Sequence, residues 1–175
     1  DCGYLNRDDS TCTYRLSRKM LALGYAAIDG RGLIEKSTDV LRQLRDATGE
    51  TALIGVLSEK EGVVLDAVAS TAPIKVLVQI GHRFPLHTAA PGKALLAWLP
   101  ANEQAEILET LEYPRFTAYT ITSAAAMRRE LNRAREQGYA LDRGEEIEDI
   151  RCVAAPVLDH RGVSLAAIWI SGPAS

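Results

Sequence analysis

The sequence predicts an α+β domain, in which an antiparallel sheet of about six strands carries helices on its faces. Short apolar segments are paired across polar turns, as in antiparallel hairpins, and helical patterns separate these pairs. In the middle of the chain, Arg83–Pro100 indicates a loop that turns directly into an apolar helix.

The chain opens with a predicted hairpin. Strand-like residues at Gly3–Leu5 and Thr11–Leu16 flank a polar turn at Asn6–Ser10. The apolar spacing that follows predicts a helix from Leu16 to Gly24. A hairpin next to a helix is typical of the wing of a winged helix-turn-helix domain.

The next segments predict a helix and three strands. Leu33–Ala47 has the pattern of an amphipathic helix that Gly49 closes. Two strands, Thr51–Leu57 and Gly62–Ala69, form a second hairpin, and Ile74–Ile80 is predicted as a third strand.

The helix start in the central stretch is suited to hold a small anion. Thr88 is the predicted cap, and Pro91 lies in the first turn, where a missing N–H costs little. Gly92 allows a close approach to the backbone, and Lys93 adds a positive charge. Free N–H groups and the helix dipole favour a carboxylate or phosphate here. The alternative is a capped helix without a ligand.

The C-terminal part predicts two helices and three strands. Ala101–Leu111 is a Glu-rich helix, and a second helix starts at the capping residue Ser123 and ends at Gly138. The strands are Tyr139–Leu141, Cys152–Leu158 and Val163–Ile170, the last two joined by a turn at Asp159–Gly162.

Composition excludes several classes of function. The net charge of -3 argues against a large basic nucleic-acid surface on this chain, and no apolar run is long enough to span a membrane. Three cysteines without metal-like spacing favour a reduced, cytoplasmic setting without a metal or other cofactor. The start at Asp1, without an initiator Met, predicts a piece of a longer protein.

Catalysis is a secondary interpretation. Cys152 with His87 and Asp142 would supply the parts of a cysteine hydrolase, although a cysteine that opens an apolar strand is usually buried and inert. No nucleophile elbow, zinc-protease motif or phosphate loop occurs. If the sheet edge faces the central helix start, Asp142, Cys152 and Ser171 line one pocket.

Several stretches together resemble the IclR (isocitrate lyase regulator) family of transcription factors. The central FPLHTAAPGKALLAWLP, with Phe84 where the family has Leu, resembles its main motif. The set is completed by Thr120–Thr122, Glu130–Ala140, Asp142 with Glu145, and Cys152–Pro173.

The resemblance implies a GAF-like effector-binding domain over residues 26–175 and the end of a winged-helix domain over residues 1–25. It implies a DNA-binding helix-turn-helix upstream of Asp1, a small organic acid as effector, and homodimers or homotetramers without a membrane partner. Arg7 and Arg15 on the hairpin are candidate contacts to DNA phosphates. A stand-alone GAF-like binding module is a further alternative.

The family's pocket positions fall on a defined set of residues. Two of them depart from the family chemistry: Pro91 has no N–H to donate, and Trp169 replaces a small hydroxyl residue. These departures favour an aromatic or otherwise bulkier acid over a two- or three-carbon one. The predicted ligand-binding residues are Val76, Phe84, Ala90, Pro91, Asp142, Cys152, Trp169 and Ser171.

Overall fold

The computed structural model describes residues 2–8, 10–17, 19–20 and 32–174. They divide into two compact units, Asp1–Lys36 and Ser37–Ser175. Within the described ranges, no helix is long and apolar enough to cross a membrane.

The first unit contains the predicted hairpin. Strands β1 (Leu5–Asp8) and β2 (Thr13–Leu16) pair antiparallel, and the Asp8 carboxylate accepts the N–H of Ser10 at 3.0 Å in the turn. The helix predicted from Leu16 to Gly24 falls largely outside the described residues.

The second unit is built on one six-stranded antiparallel sheet with the order β5-β4-β3-β8-β7-β6. This is the predicted α+β architecture. Its strands are β3 (Thr51–Ser58), β4 (Glu61–Val68), β5 (Arg83–Pro85), β6 (Ala140–Asp142), β7 (Ile150–Leu158) and β8 (Ser164–Pro173).

Four helices accompany these strands within the described residues. Helix α1 (Leu33–Thr48) is amphipathic and ends at Gly49, whose φ of 77° only glycine adopts readily. Ser123 caps the last helix as predicted, accepting the N–H of Ala126 at 3.3 Å. The others are α2 (Ala90–Ala97), α3 (Ala101–Thr110) and α4 (Ala124–Gln137).

The prediction of a strand at Ile74–Ile80 is wrong. This segment has no regular structure, and the short β5 forms instead at Arg83–Pro85, beside β4. Side-chain and irregular backbone bonds take the place of a ladder: Thr51 Oγ1 donates to Val76 O at 2.7 Å, and Gly81 N donates to Val64 O at 2.8 Å.

Helix α2 lies at the centre of the core. All of its residues are buried, and it packs against β7, β8 and α4. An apolar run without a polar face is the pattern of a helix surrounded by protein. Gly92 permits this packing, because a Cβ there would meet the Leu86 backbone at 2.6 Å. The group that approaches Gly92 is thus the chain itself.

Candidate functional site

An open cavity of about 130 Å³ lies where the start of α2 meets the sheet. Strands β4 to β8, the N-terminus of α2 and the loop after β6 all contribute to its wall. The lining residues are Val64, Val78, His82, Phe84, Ala89, Pro91, Asp142, Glu146, Ile147, Ile150, Cys152, Trp169 and Ser171.

The strand register brings the polar residues of the wall together. Asp142 on β6 faces Cys152 on β7, and Cys152 faces Ser171 on β8. Directly opposed residues of antiparallel strands share a face of the sheet. The Cys152 thiol donates to Ser171 Oγ at 3.2 Å, so these residues form a continuous polar row along the cavity.

The Asp142 carboxylate anchors the loop that follows β6. Its Oδ1 accepts the N–H groups of Gly144 at 3.0 Å and Glu145 at 2.8 Å. Gly144 has a φ of 86°, which fits the sharp turn. Burial raises the pKa of Asp142 above its usual value, although these two hydrogen bonds and the Lys93 charge oppose the rise.

Lys93 does not direct its charge into the cavity, contrary to the prediction. Its side chain is fully buried, donates to Leu141 O at 2.7 Å and forms an ion pair with Glu145. Because helix α2 is enclosed by the core, the Lys93 ammonium pairs with a buried carboxylate and does not face the cavity. Lys93 therefore holds the loop after β6 against α2.

The predicted cap of α2 is also wrong. Ala89 is the N-cap residue and makes no side-chain capping bond, while the Thr88 hydroxyl donates to Glu146 at 3.1 Å. Pro91 lies in the first turn as predicted, so Ala90 and Gly92 flank a position without an N–H. The helix start meets the cavity through Ala89 and Pro91.

Two aromatic rings form an apolar part of the cavity wall. The rings of Phe84 and Trp169 meet edge to face, with centroids 5.5 Å apart. Each ring covers a strand glycine: a Cβ at Gly62 would meet the Phe84 ring at 2.0 Å, and one at Gly55 would meet the Trp169 ring at 3.1 Å. Trp169 is 6% exposed and belongs to the core as well as to the cavity.

Acidic groups dominate the electrostatics of the cavity. Asp142 and Glu146 line it with His82, and none of its described lining residues is a lysine or arginine. Such a wall contributes little electrostatic binding free energy to an anion that carries no hydrogen-bond donors, except at the N-terminus of α2.

Six of the eight predicted ligand-binding residues line the cavity. Ala90 is fully buried in the core, and its neighbour Ala89 takes the cavity position. The Val76 carbonyl accepts a hydrogen bond from the Thr51 hydroxyl, and Val78 lines the cavity wall instead. The six are Phe84, Pro91, Asp142, Cys152, Trp169 and Ser171.

Sequence reasoning missed part of the wall. His82 and Glu146 lie in segments without regular structure, where residue spacing gives no facing direction. The signal available for Glu146 was its place in the acidic run that follows β6, directly after Glu145.

The cysteine-hydrolase alternative is not supported. His87 lines a different cavity of about 340 Å³, where its Nε2 pairs with Pro114 O at 3.0 Å and its ring packs on Tyr113 and Phe116. Burial raises the pKa of the Cys152 thiol to about 12, so the nucleophilic thiolate is scarce at neutral pH.

The two candidate DNA-contacting arginines lie on the hairpin of the first unit. Arg7 is opposite Tyr14 and Arg15 is opposite Asn6, so the arginines project from opposite faces of the ribbon. Both are exposed.

Comparison with known proteins assigns the chain to a family. Residues 25–175 match the family described as bacterial transcriptional regulator IclR C-terminal. The chain belongs to the IclR family. It is 39% identical over 171 residues to the HTH-type transcriptional regulator KdgR of Escherichia coli, covering 98% of this chain and 65% of KdgR. With XynR of the same organism the identity is 35%, over 97% of this chain and 67% of XynR.

Solved IclR-type structures share the fold. The C-terminal domain of Escherichia coli KdgR superposes with a TM-score of 0.74 at 40% identity, covering 82% of each chain. The Thermotoga maritima IclR superposes with a TM-score of 0.80 at 31% identity, covering 98% of this chain and 69% of that one. This chain therefore spans about two thirds of its IclR-family relatives, which are named as transcriptional regulators.

Proposed function

We propose that this chain is the effector-sensing part of a ligand-responsive, DNA-binding transcriptional regulator. Residues 26–175 form the effector-binding domain, and residues 1–25 form the end of a winged-helix domain. Family membership supports this assignment, together with the cavity at the junction of the sheet and α2. Operator DNA binds through a helix-turn-helix upstream of Asp1, and Arg7 and Arg15 contact phosphates beside it.

The effector is a small organic acid. The residues of the cavity wall support a particular binding mode for it. Its carboxylate lies at the start of α2, where first-turn N–H groups and the helix dipole favour negative charge. Asp142 and Glu146 accept hydrogen bonds, so they favour an acid that also carries hydrogen-bond donors.

An aromatic or otherwise bulky acid fits the aromatic part of the wall. The Phe84 and Trp169 rings offer an apolar surface against which a ligand ring packs. Binding shifts the population between arrangements that favour and disfavour DNA, and copies of the chain associate as dimers or tetramers. No reaction is catalysed.

A thermal-shift screen of aromatic and aliphatic carboxylic acids tests the effector class. We expect aromatic acids to raise the unfolding temperature more than small aliphatic acids do. A panel in which no aromatic acid shifts the transition would contradict the aromatic assignment.

Replacement of Trp169 tests the wall directly. Trp169→Ser removes the ring and is expected to weaken aromatic ligands while leaving small acids unharmed or improved. Since this change also creates a void in the core, it costs about 3–5 kcal/mol of folding stability. Trp169→Phe is the matched control, because it keeps an aromatic surface.

A further inference from the structure

The cavity that contains His87 is separate from the one at the start of α2. It lies beside β5 and the C-terminal end of α3, and no described residue lines both cavities. Its volume is about 340 Å³. Sites for small molecules generally have volumes of about 300–1,000 Å³, with apolar walls and a few polar groups that orient the ligand. We call it the second cavity.

The second cavity has a buried floor. Leu86 and His87 are 0% and 1% exposed, and Pro85 and Leu111 beside them are half-buried. The remaining lining residues are exposed and form the rim. A ligand that enters the second cavity therefore meets an apolar surface with one imidazole in it.

The imidazole of His87 is fixed in place and keeps one acceptor for a ligand. Its Nε2 pairs with the Pro114 carbonyl oxygen at 3.0 Å, and because a carbonyl oxygen only accepts, Nε2 carries the hydrogen. In the neutral ring Nδ1 is then an acceptor, and no described residue donates to it. The rings of Tyr113 and Phe116 pack on the imidazole, with centroids 5.6 and 5.9 Å away. A hydroxyl group on a ligand would supply the missing donor.

The charges at the rim of the second cavity balance. Lys60, Glu61 and Glu112 belong to the rim, and Arg83 forms an ion pair with Glu61 at 2.9 Å. Two cations and two carboxylates favour neither an anionic nor a cationic ligand. The cavity at the start of α2 differs, because its charged lining is acidic. The second cavity thus suits a neutral ligand.

Phe116 adds an aromatic surface to this rim. It is 49% exposed although it packs on the His87 ring, so part of its own ring remains open to a ligand. A ligand ring gains from edge-to-face or offset contact with such a surface, beyond the apolar area that it buries.

We propose that the second cavity is a further small-molecule site, which binds a neutral aromatic compound that carries a hydroxyl group, a phenol. The hydroxyl donates to His87 Nδ1, while the ring packs on Leu86 and Phe116. This site is independent of the acid-binding cavity in the proposed function.

Nuclear magnetic resonance of the full chain with ¹⁵N-labelled histidine tests the site, with phenol as the probe. The other two histidines are exposed: His82 lines the cavity at the start of α2, and His160 lies in a turn. His82→Gln and His160→Gln therefore assign the ring signals without disturbing the core. We expect phenol to shift the His87 signals saturably and to leave those of His160 unmoved. Anisole, which lacks the hydroxyl hydrogen, should bind about three- to tenfold more weakly.

A filling variant tests the location. Thr110 is exposed at the rim, so Thr110→Trp fills the second cavity from outside and should weaken phenol binding at least about tenfold. Glu109→Trp is the matched control, because Glu109 is an exposed neighbour on α3 that does not line the second cavity. It should bind phenol like the unaltered chain, and circular dichroism checks the fold of both variants.

The outcomes separate the two cavities. A shift of the His82 signals with those of His87 unmoved would place phenol at the start of α2 and overturn the proposal. The absence of any shift, or equal binding of phenol by the Thr110→Trp variant and the unaltered chain, would overturn it as well. Equal affinities for phenol and anisole would contradict the hydrogen bond to His87. The thermal-shift screen of acids reports on the other cavity, so either proposal can fail alone.

Discussion

Lys93 and Glu145 form an ion pair inside the protein, where the lysine side chain is 0% exposed and the glutamate side chain 6%. Glu145 Oε2 has no hydrogen-bond partner among the described residues. Burial raises the pKa of Glu145, and the Lys93 ammonium counteracts that rise. The pair joins α2 to the loop that carries Asp142 and Glu146.

Removal of the Lys93 side-chain charge should lower the folding stability of the chain. Lys93→Met leaves the Glu145 charge buried without a counter-ion, and we expect a loss of about 3–5 kcal/mol of folding stability in urea unfolding. Lys93→Met with Glu145→Leu should recover much of the loss, since both charges are then absent. The control is Arg83→Met, which breaks the exposed pair with Glu61 and should cost at most about 1 kcal/mol. A Lys93→Met variant as stable as this control would show that the buried pair does not hold the loop.

Gly92 provides a test of the packing around α2. Gly→Ala in a helix normally stabilises by up to about 1 kcal/mol, but here the new Cβ would clash with the Leu86 backbone. We expect Gly92→Ala to destabilise the chain by about 1–3 kcal/mol in urea unfolding. A stabilised variant would mean that α2 is less tightly packed than described.

Cys152 should be unreactive in the folded chain. Because burial raises its pKa from 9.0 to about 12, we expect a thiol reagent at neutral pH to modify the exposed Cys2 and Cys12 and to spare Cys152. Unfolding in urea should release the third thiol. Since the folded pKa is the higher one, this group's contribution to stability is complete below about pH 9 and disappears as the pH rises toward 12. Rapid native modification of Cys152 would contradict its burial.

Acid binding should depend on pH through Asp142. Burial raises the pKa of Asp142 above 3.8, so its contribution to folding stability is complete below that pH and is lost as the pH rises through the folded-state pKa. Protonation also removes a negative charge from the cavity. We expect the affinity for a carboxylate ligand to rise as the pH falls through the raised folded-state pKa of Asp142.

Asp142→Asn is the matched variant for this dependence. Its amide oxygen can still accept the N–H groups of Gly144 and Glu145, so the loop is retained. Calorimetry on this variant should show a flatter pH profile. An unchanged profile would place the titrating group elsewhere in the cavity.

Much of the fold and of the site follows from local pattern. Turns and helix caps depend on residues that are adjacent in the sequence, so they could be predicted. Examples are the hairpin β3–β4, the capped α4 and the turn at Asp159–Gly162. The meeting of Asp142, Cys152 and Ser171 was predictable because the three lie on strands of one sheet.

The errors arise where tertiary contacts override local pattern. Thr88 is a residue type that often caps helices, but its hydroxyl donates a hydrogen bond to Glu146, which is 58 residues away in the sequence. Lys93 has the charge of an anion site, but Glu145 neutralises it inside the core. Ile74–Ile80 alternates like a strand, but Thr51 takes the Val76 carbonyl. Spacing in the sequence cannot reveal such distant partners.

Isothermal titration calorimetry of the acid panel, with the chain and with Ala89→Leu, tests directly whether the effector binds in this cavity. Ala89 lines the cavity at the start of α2 and makes no side-chain capping bond, so a larger residue there fills the site without removing a contact of the core. We predict that at least one acid binds the unaltered chain and that Ala89→Leu abolishes this binding while the unfolding temperature of the free chain is retained. An acid that binds both proteins equally would contradict an effector site in this cavity.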